Sequence, residues 1–183
     1  AAVVAGPAAS AQRSYTHEDS VAANEYFRSS FKYSLNSRQH QVYLDSALMR
    51  LPQNAYYWQQ KSMPLYKSQR YELGRPFLDS AVKYDAGRWL EYRGFMKCIF
   101  ERRYSESMAD FRLARQLYGN RVVMDHPYDF YLALCYLQLN ELDSSATLLD
   151  RCIAEQSASV GEKWVHYNHW FYRAVVWMEQ EKY

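Results

Sequence analysis

The sequence predicts an all-helical fold in which pairs of antiparallel helices repeat along the chain. Its 183 residues include only six glycines and five prolines, whereas strand-rich folds need abundant turn residues. Aromatic residues make up 17% of the chain and recur along most of its length, which is typical of proteins that stack helices in series. The tetrapeptide Leu44–Ala47 also recurs unchanged as Leu78–Ala81.

The two copies are 34 residues apart, and the similarity extends beyond the tetrapeptide. Phe31 aligns with Leu65, and His40 aligns with Gly74. Later copies are Phe111–Ala114 and Leu149–Cys152. The residues expected to open the second helix of successive pairs are Tyr71, Tyr104, Leu142 and Tyr183. We therefore expect about four repeat units and half of a fifth.

The apolar periodicity predicts where the individual helices lie. The expected helices are near 18–34, 38–51, 55–68, 72–84, 88–101, 105–117, 126–139, 142–154 and 160–180. Thr16 and Asp19 are spaced as in a capping box, which predicts the start of the first helix. The longer connections are expected at 119–128 and 155–162, and neither has the composition of a domain linker. Residues 13–183 are therefore expected to form one helical repeat domain.

The second unit carries the motif that identifies a family resemblance. Its small and large apolar positions alternate as Trp58, Ser62, Leu65, Gly74, Leu78 and Ala81. This pattern resembles the tetratricopeptide repeat family, whose unit is a pair of antiparallel helices. The resemblance implies a right-handed α-solenoid in which small residues let paired helices approach closely. His40 departs from the pattern, because the family places a small residue there.

The N-terminal segment differs in composition from the rest of the chain. Residues 1–12 are small and apolar, carry no charge and include Ala9-Ser10-Ala11, a pattern that signal peptidases recognise. We interpret them as the remnant of a signal peptide, with a flexible leader as the alternative. Export to the bacterial periplasm or cell envelope is expected in the first case, and a cytoplasmic location in the second. Because half a unit would leave apolar surface uncovered, the natural chain is expected to continue past Tyr183.

Composition argues against several classes of protein. The net charge is +2 and the longest basic block is Arg102-Arg103, so a nucleic-acid partner is not expected. There is no apolar stretch of the length that a transmembrane helix needs, so no transmembrane segment is predicted. The three cysteines, Cys98, Cys135 and Cys152, fall in helical patterns and are expected to be buried thiols. The sequence leaves undecided whether Cys135 and Cys152 face each other within one helix pair.

The sequence contains no nucleotide-binding loop and no nucleophile-elbow motif, so neither catalytic residues nor a cofactor are predicted. His166 and His169 are three residues apart, close enough to share a metal ion, and His126 is a further candidate. Their neighbours are aromatic, which favours packing between helices and predicts no metal. A metal-dependent enzyme that uses these three histidines is the lesser alternative.

The family resemblance also implies a binding surface for a protein or peptide partner. In that family the first helix of each unit lines a concave groove. The positions one turn from the packing face are Lys32, Tyr33, Gln59, Met63, Tyr66, Lys67, Phe130 and Leu134. Tyr33 and Tyr66 are expected to be exposed and to supply contact area. Lys32 and Lys67 are either a clamp for a carboxylate or solvated residues at the edge.

These expectations predict a non-catalytic scaffold that binds a protein or peptide. The alternative is the sensory or regulatory portion of a longer signalling protein.

Overall fold

The structure, a computed structural model, describes residues 14–181. Nine α-helices follow one another within this range. They are α1 (His17–Ser30), α2 (Arg38–Arg50), α3 (Ala55–Lys67), α4 (Tyr71–Tyr84), α5 (Ala86–Met96), α6 (Tyr104–Tyr118), α7 (Tyr128–Gln138), α8 (Leu142–Val160) and α9 (Tyr167–Glu179). The proposed signal-peptide remnant at 1–12 and the repeat position at Tyr183 lie outside the described residues.

Each predicted helix has a counterpart in the structure, so the all-helical prediction is confirmed. The differences are at the ends of helices. The helix expected at 88–101 is α5 followed by one turn of π-helix, Lys97–Glu101. The helix expected from 160 begins only at Tyr167, after a short 3₁₀ turn at Glu162–Trp164. None of the described helices combines the length and the apolar character that crossing a bilayer requires.

The connection expected at 119–128 contains a structure that the sequence did not predict. Strands β1 (Val122–Val123) and β2 (His126–Pro127) pair antiparallel, so α7 begins at Tyr128 rather than at 126. The predicted capping box of α1 is confirmed. Thr16 Oγ1 accepts from Asp19 N at 3.1 Å, and Asp19 Oδ2 accepts from Thr16 N at 3.1 Å.

The contacts divide the chain into two compact units, and the boundary in the sequence falls between Asn54 and Ala55. In the first unit α1 packs along α2, around the buried side chains of Ala23, Leu44 and Ala47. In the second unit each helix from α3 to α9 packs against the next helix in the sequence. Packing between sequence neighbours is typical of a helical repeat.

One polar contact recurs where the helices of a pair approach each other. A side chain near the start of the second helix donates a hydrogen bond to a backbone carbonyl of the first helix. The three examples are His40 Nδ1 to Ser30 O at 3.0 Å, Ser107 Oγ to Gly94 O at 2.8 Å and Ser145 Oγ to Ala133 O at 2.8 Å. His40, which departs from the family pattern, is therefore a buried residue with the same role as the two serines.

The pair of α3 and α4 has a glycine at the corresponding position. A Cβ atom on Gly74 would lie 2.8 Å from the ring of Tyr66, which is closer than van der Waals contact permits. Ser62 on α3 and Ala81 on α4 are completely buried. Small side chains thus allow the close packing of α3 on α4.

Ion pairs join consecutive helix pairs of the second unit. Asp79 of α4 pairs with Arg93 of α5 at 2.8 Å, and Asp150 of α8 pairs with Arg173 of α9 at 2.6 Å. Arg93 also donates two hydrogen bonds to the buried Asp110 of α6. Asp79, Asp110 and Asp150 are therefore each paired with an arginine of a neighbouring helix.

All three cysteines are buried free thiols, as expected. The partner of Cys135 is Cys98, with its Sγ atom 3.6 Å away, rather than Cys152. Burial raises the pKa of Cys152 to about 12, so this thiol is protonated and unreactive at neutral pH.

Replacing Ala81 with leucine is expected to destabilise the protein by about 1–3 kcal/mol, because the larger side chain has no space against α3. The free energy of unfolding in urea measures this. Lys83→Leu adds the same side chain at an exposed position of α4 and is expected to change stability much less. Equal stabilities of the two variants would contradict the packing described here.

Candidate functional site

An apolar cavity of about 240 Å³ lies within the second unit. Almost all of its exposed lining is carbon and sulphur. Its walls are formed by Met63, Tyr66 and Lys67 of α3, Tyr92, Phe95 and Met96 of α5, Phe100 of the π-helical turn and Met124 of the hairpin. The cavity therefore combines flexible thioethers with rigid aromatic rings.

Tyr66 forms the wall on the α3 side and is held in place at its hydroxyl. It is only 4% exposed, and its hydroxyl donates to Glu101 Oε1 at 2.5 Å. Arg75 binds the other oxygen of Glu101 through Nε at 2.8 Å. Burial, together with the neighbouring Glu101, raises the pKa of Tyr66 well above its usual value of 10.0. Tyr66 is therefore a neutral, fixed wall.

The polar atoms near α5 are also paired within the protein. The hydroxyl of Tyr92 donates to Met63 Sδ at 3.2 Å, and the side chain of Gln59 hydrogen-bonds to the same tyrosine. Burial raises the pKa of Tyr92, so this phenol is neutral as well. Because these groups are paired with one another, the surface offered to a ligand is apolar.

The hairpin presents Met124 at the rim of the cavity. Met124 and Asp125, the two residues between the strands, have φ angles of 45° and 73°. Positive φ at both positions is the geometry of a type I′ turn. The hydroxyl of Tyr131 donates to the carbonyls of Val123 and Met124 at 2.9 and 3.0 Å, which anchors this turn to α7. Met124 is nevertheless 54% exposed and thus accessible to a ligand.

The π-helical turn contributes Phe100 to the lining of the cavity. Phe100 is half exposed and packs edge-on against Phe95, with ring centroids 5.7 Å apart. The turn is anchored by the buried Lys97, whose Nζ lies 2.9 Å from Asp110 Oδ2. π-helical turns inside α-helices occur often at functional sites.

Three of the eight residues predicted from the sequence line this cavity, namely Met63, Tyr66 and Lys67. Lys67 is exposed at its edge, whereas Gln59 is buried beside it. Tyr66 was expected to be exposed, and the structure buries it instead. The reason is the close packing of its ring beside Gly74 of α4, and its hydroxyl is paired with Glu101, a residue 35 positions away in the sequence.

The other predicted residues lie elsewhere. Phe130 and Leu134 are buried on α7, where Phe130 packs against His169 and Tyr172 of α9. Lys32 and Tyr33 belong to the first unit, and both are exposed there. Tyr33 stacks on Tyr43 with ring centroids 5.4 Å apart. The expected exposure of Tyr33 is thus found.

The three histidines considered as metal ligands do cluster. The ring of His126 lies 4.4 Å from that of His166 and 5.4 Å from that of His169. His126 Nδ1 is 3.3 Å from His169 Nε2. Phe130 stacks on His126 at 4.1 Å, in agreement with a packing role. Within residues 14–181, no group of three or more potential ligand side chains has a geometry that could hold a metal ion.

Burial keeps His126 and His169 neutral at pH 7. It is the main cause that lowers the pKa of each to about 4, and the neighbouring His166 contributes to both shifts. Asp125 acts in the opposite direction on His126. The contact between His126 Nδ1 and His169 Nε2 is therefore one between two uncharged imidazoles.

Comparison with known proteins adds no family assignment. No family model matches the chain, no curated protein matches it, and no solved structure matches it. The cavity and the histidine cluster are therefore interpreted from their own geometry.

The free energy of unfolding is expected to decrease as the pH falls from about 6.5 to about 4. In that window the unfolded chain binds protons on the imidazoles of His126 and His169, whose ordinary pKa is 6.5, while the folded chain does not. Urea unfolding at pH 7, 5.5 and 4.5 measures the decrease. His126→Gln is expected to reduce this pH dependence, and His17→Gln, at an exposed position, to leave it unchanged. A pH dependence that is identical in all three proteins would rule out the buried histidines as its source.

Proposed function

We propose that this chain is a tetratricopeptide-like scaffold that binds a protein or peptide without catalysing a reaction. The observation that carries the proposal is the apolar cavity formed by α3, α5 and the hairpin. In the tetratricopeptide arrangement α3 and α5 are first helices of successive pairs, and their shared face is the ligand-binding face. The right-handed solenoid of about four units and half of a fifth belongs to the same proposal.

The recurring contacts of the helix pairs support this assignment. His40, Ser107 and Ser145 make equivalent hydrogen bonds to the preceding helix, although they are 67 and 38 residues apart. Gly74 holds the corresponding position of the intervening pair, so the four positions recur at intervals of 34, 33 and 38 residues, as repeated structural units produce. Export to the bacterial envelope is also part of the proposal, and it rests on the composition of residues 1–12.

The size and lining of the cavity favour a peptide side chain as the ligand. Its volume of about 240 Å³ is below the roughly 300–1,000 Å³ that is typical of small-molecule sites. Methionines adapt to different apolar shapes, and Met63, Met96 and Met124 supply three of them here. Lys67 at the edge is placed to attract an acidic residue next to the inserted side chain. The preferred ligand is therefore a large apolar residue flanked by acidic residues.

Helix α9 presents a second surface that is suited to contact with a protein. Four large apolar side chains of this helix are about half exposed or more: Trp170, Phe171, Trp177 and Met178. Exposed apolar patches of this kind commonly mark protein interfaces. This patch on α9 is therefore a second candidate surface for a protein partner.

Two substitutions at the cavity are expected to weaken peptide binding by about tenfold or more, since each places a polar group where an apolar side chain would be buried. Met63→Gln changes the wall at nearly constant length. Met124→Asp changes the rim, and aspartate tolerates the positive φ of that position. Peptides selected from a random library on the intact protein provide the ligands, and fluorescence anisotropy measures their affinity.

Val122→Asp is the matched control, because Val122 is an exposed residue of the same hairpin that does not line the cavity. It is expected to bind the selected peptides like the unaltered chain. Circular dichroism establishes that all three variants keep their helices. If Met63→Gln and Met124→Asp bind as tightly as Val122→Asp, the cavity is not the binding site.

A further inference from the structure

A second cavity of about 490 Å³ lies between α6 and α8 and shares no lining residue with the candidate site. Three arginines line it, Arg112 and Arg115 from α6 and Arg151 from α8. We propose that this cavity binds a phosphate monoester group, on either a small molecule or a phosphorylated side chain. This inference does not rest on the proposed scaffold function.

Asp129, buried below the cavity, holds two of these arginines in position. Its carboxylate is 1% exposed and contacts Arg115 NH1 at 3.0 Å and Arg151 NH2 at 2.8 Å. Asn120 fixes the aspartate in turn, because its side chain both donates to Asp129 Oδ2 and accepts from the Asp129 backbone N–H. Each of these two guanidinium groups carries five N–H donors, and its ion pair with Asp129 engages a single nitrogen. Their guanidinium groups are thus preorganised, with donors to spare.

Arg112 is the arginine whose charge is not neutralised. It has no ion pair with a carboxylate among the described residues. Its NH2 donates to the hydroxyl of Tyr136 at 2.7 Å, and its guanidinium lies over the Tyr136 ring at 5.7 Å. This contact orients the side chain and leaves its positive charge available. Arginine binds phosphate particularly well, because its planar donors match two phosphate oxygens at once.

The charges at the cavity leave a net positive balance. The three arginines carry three positive charges. Two carboxylates carry negative charges, namely Asp143 in the lining and Asp129, which pairs with two of the arginines. Asp143 already accepts a hydrogen bond from Gln180 at 2.6 Å, which orients its carboxylate toward α9. One full positive charge therefore remains for a ligand.

A hydroxyl group adds a hydrogen-bond donor to the site. Ser144 lines the cavity, and no hydrogen bond of its hydroxyl is formed within residues 14–181. A dianionic group with three terminal oxygens can accept from several such donors, which a carboxylate with two oxygens cannot match. The arrangement therefore suits phosphate better than a carboxylate.

Isothermal titration calorimetry with the intact protein tests the proposal, using inorganic phosphate and a phosphoserine tripeptide as probes. Both are expected to bind saturably, and more tightly at pH 8 than at pH 6, because the second pKa of phosphate esters is about 6. A phosphoserine affinity at least tenfold above that of inorganic phosphate assigns the site to phosphorylated side chains. Equal affinities show that the site recognises the phosphate group alone, with no contribution from the peptide, which excludes specificity for phosphorylated side chains.

Arg112→Gln is expected to weaken phosphate binding by about tenfold or more, since it removes a charge-assisted hydrogen bond and leaves both Asp129 ion pairs intact. Arg121→Gln makes the same change of charge at a surface arginine that packs on Tyr118, outside the cavity, and is expected to have no effect. Ser144→Glu, which adds a carboxylate inside the cavity, is expected to abolish binding. The proposal is overturned if neither probe binds saturably, or if Arg112→Gln and Arg121→Gln bind phosphate equally.

Discussion

The close approach of the two helices in each pair is the constraint on which the rest of the structure depends. It requires small residues at the contact, and the hydrogen bonds from Ser107 to Gly94 and from Ser145 to Ala133 show how near the second helix lies to the backbone of the first. A side chain on Gly94 would meet the ring of Phe111 at 3.2 Å. Because protein interiors tolerate little overlap or empty space, such close contacts fix the position of the second helix on the first within each pair. The faces that paired helices present to their neighbours are fixed with it.

The candidate site follows from this constraint through Tyr66. Because Gly74 has no side chain, the ring of Tyr66 occupies the space beside α4, and its hydroxyl reaches Glu101. The ring then closes one side of the cavity, while the hairpin, anchored by Tyr131, brings Met124 to the other. The apolar cavity is thus formed by helix packing together with the hairpin in the connection between α6 and α7. A ligand that fills it would contact helices that are already rigid, which limits the entropy lost on binding.

The elements that the sequence predicted are those that depend on local spacing. Periodicity within a few turns predicts the helix positions and the small residues of the α3–α4 pair. Local spacing also predicts the capping box at Thr16. The features that it did not predict depend on residues far apart in the chain. The hydroxyl of the buried Tyr66 is paired with Glu101, 35 residues away, and Cys135 faces Cys98, 37 residues away, rather than Cys152 in its own helix pair. The hairpin was missed because its turn is Met-Asp instead of a glycine-containing pair.

The most direct test of the cavity as a binding site is NMR of the chain labelled with ¹³C at its methionine methyl groups. The protein has six methionines, and three of them, Met63, Met96 and Met124, line the cavity. The other three lie elsewhere and serve as internal controls: Met49, Met108 and Met178. Titration with a selected peptide is expected to shift the three cavity signals and leave the controls in place. Shifts at Met49 or Met178 with unchanged cavity signals would contradict the account.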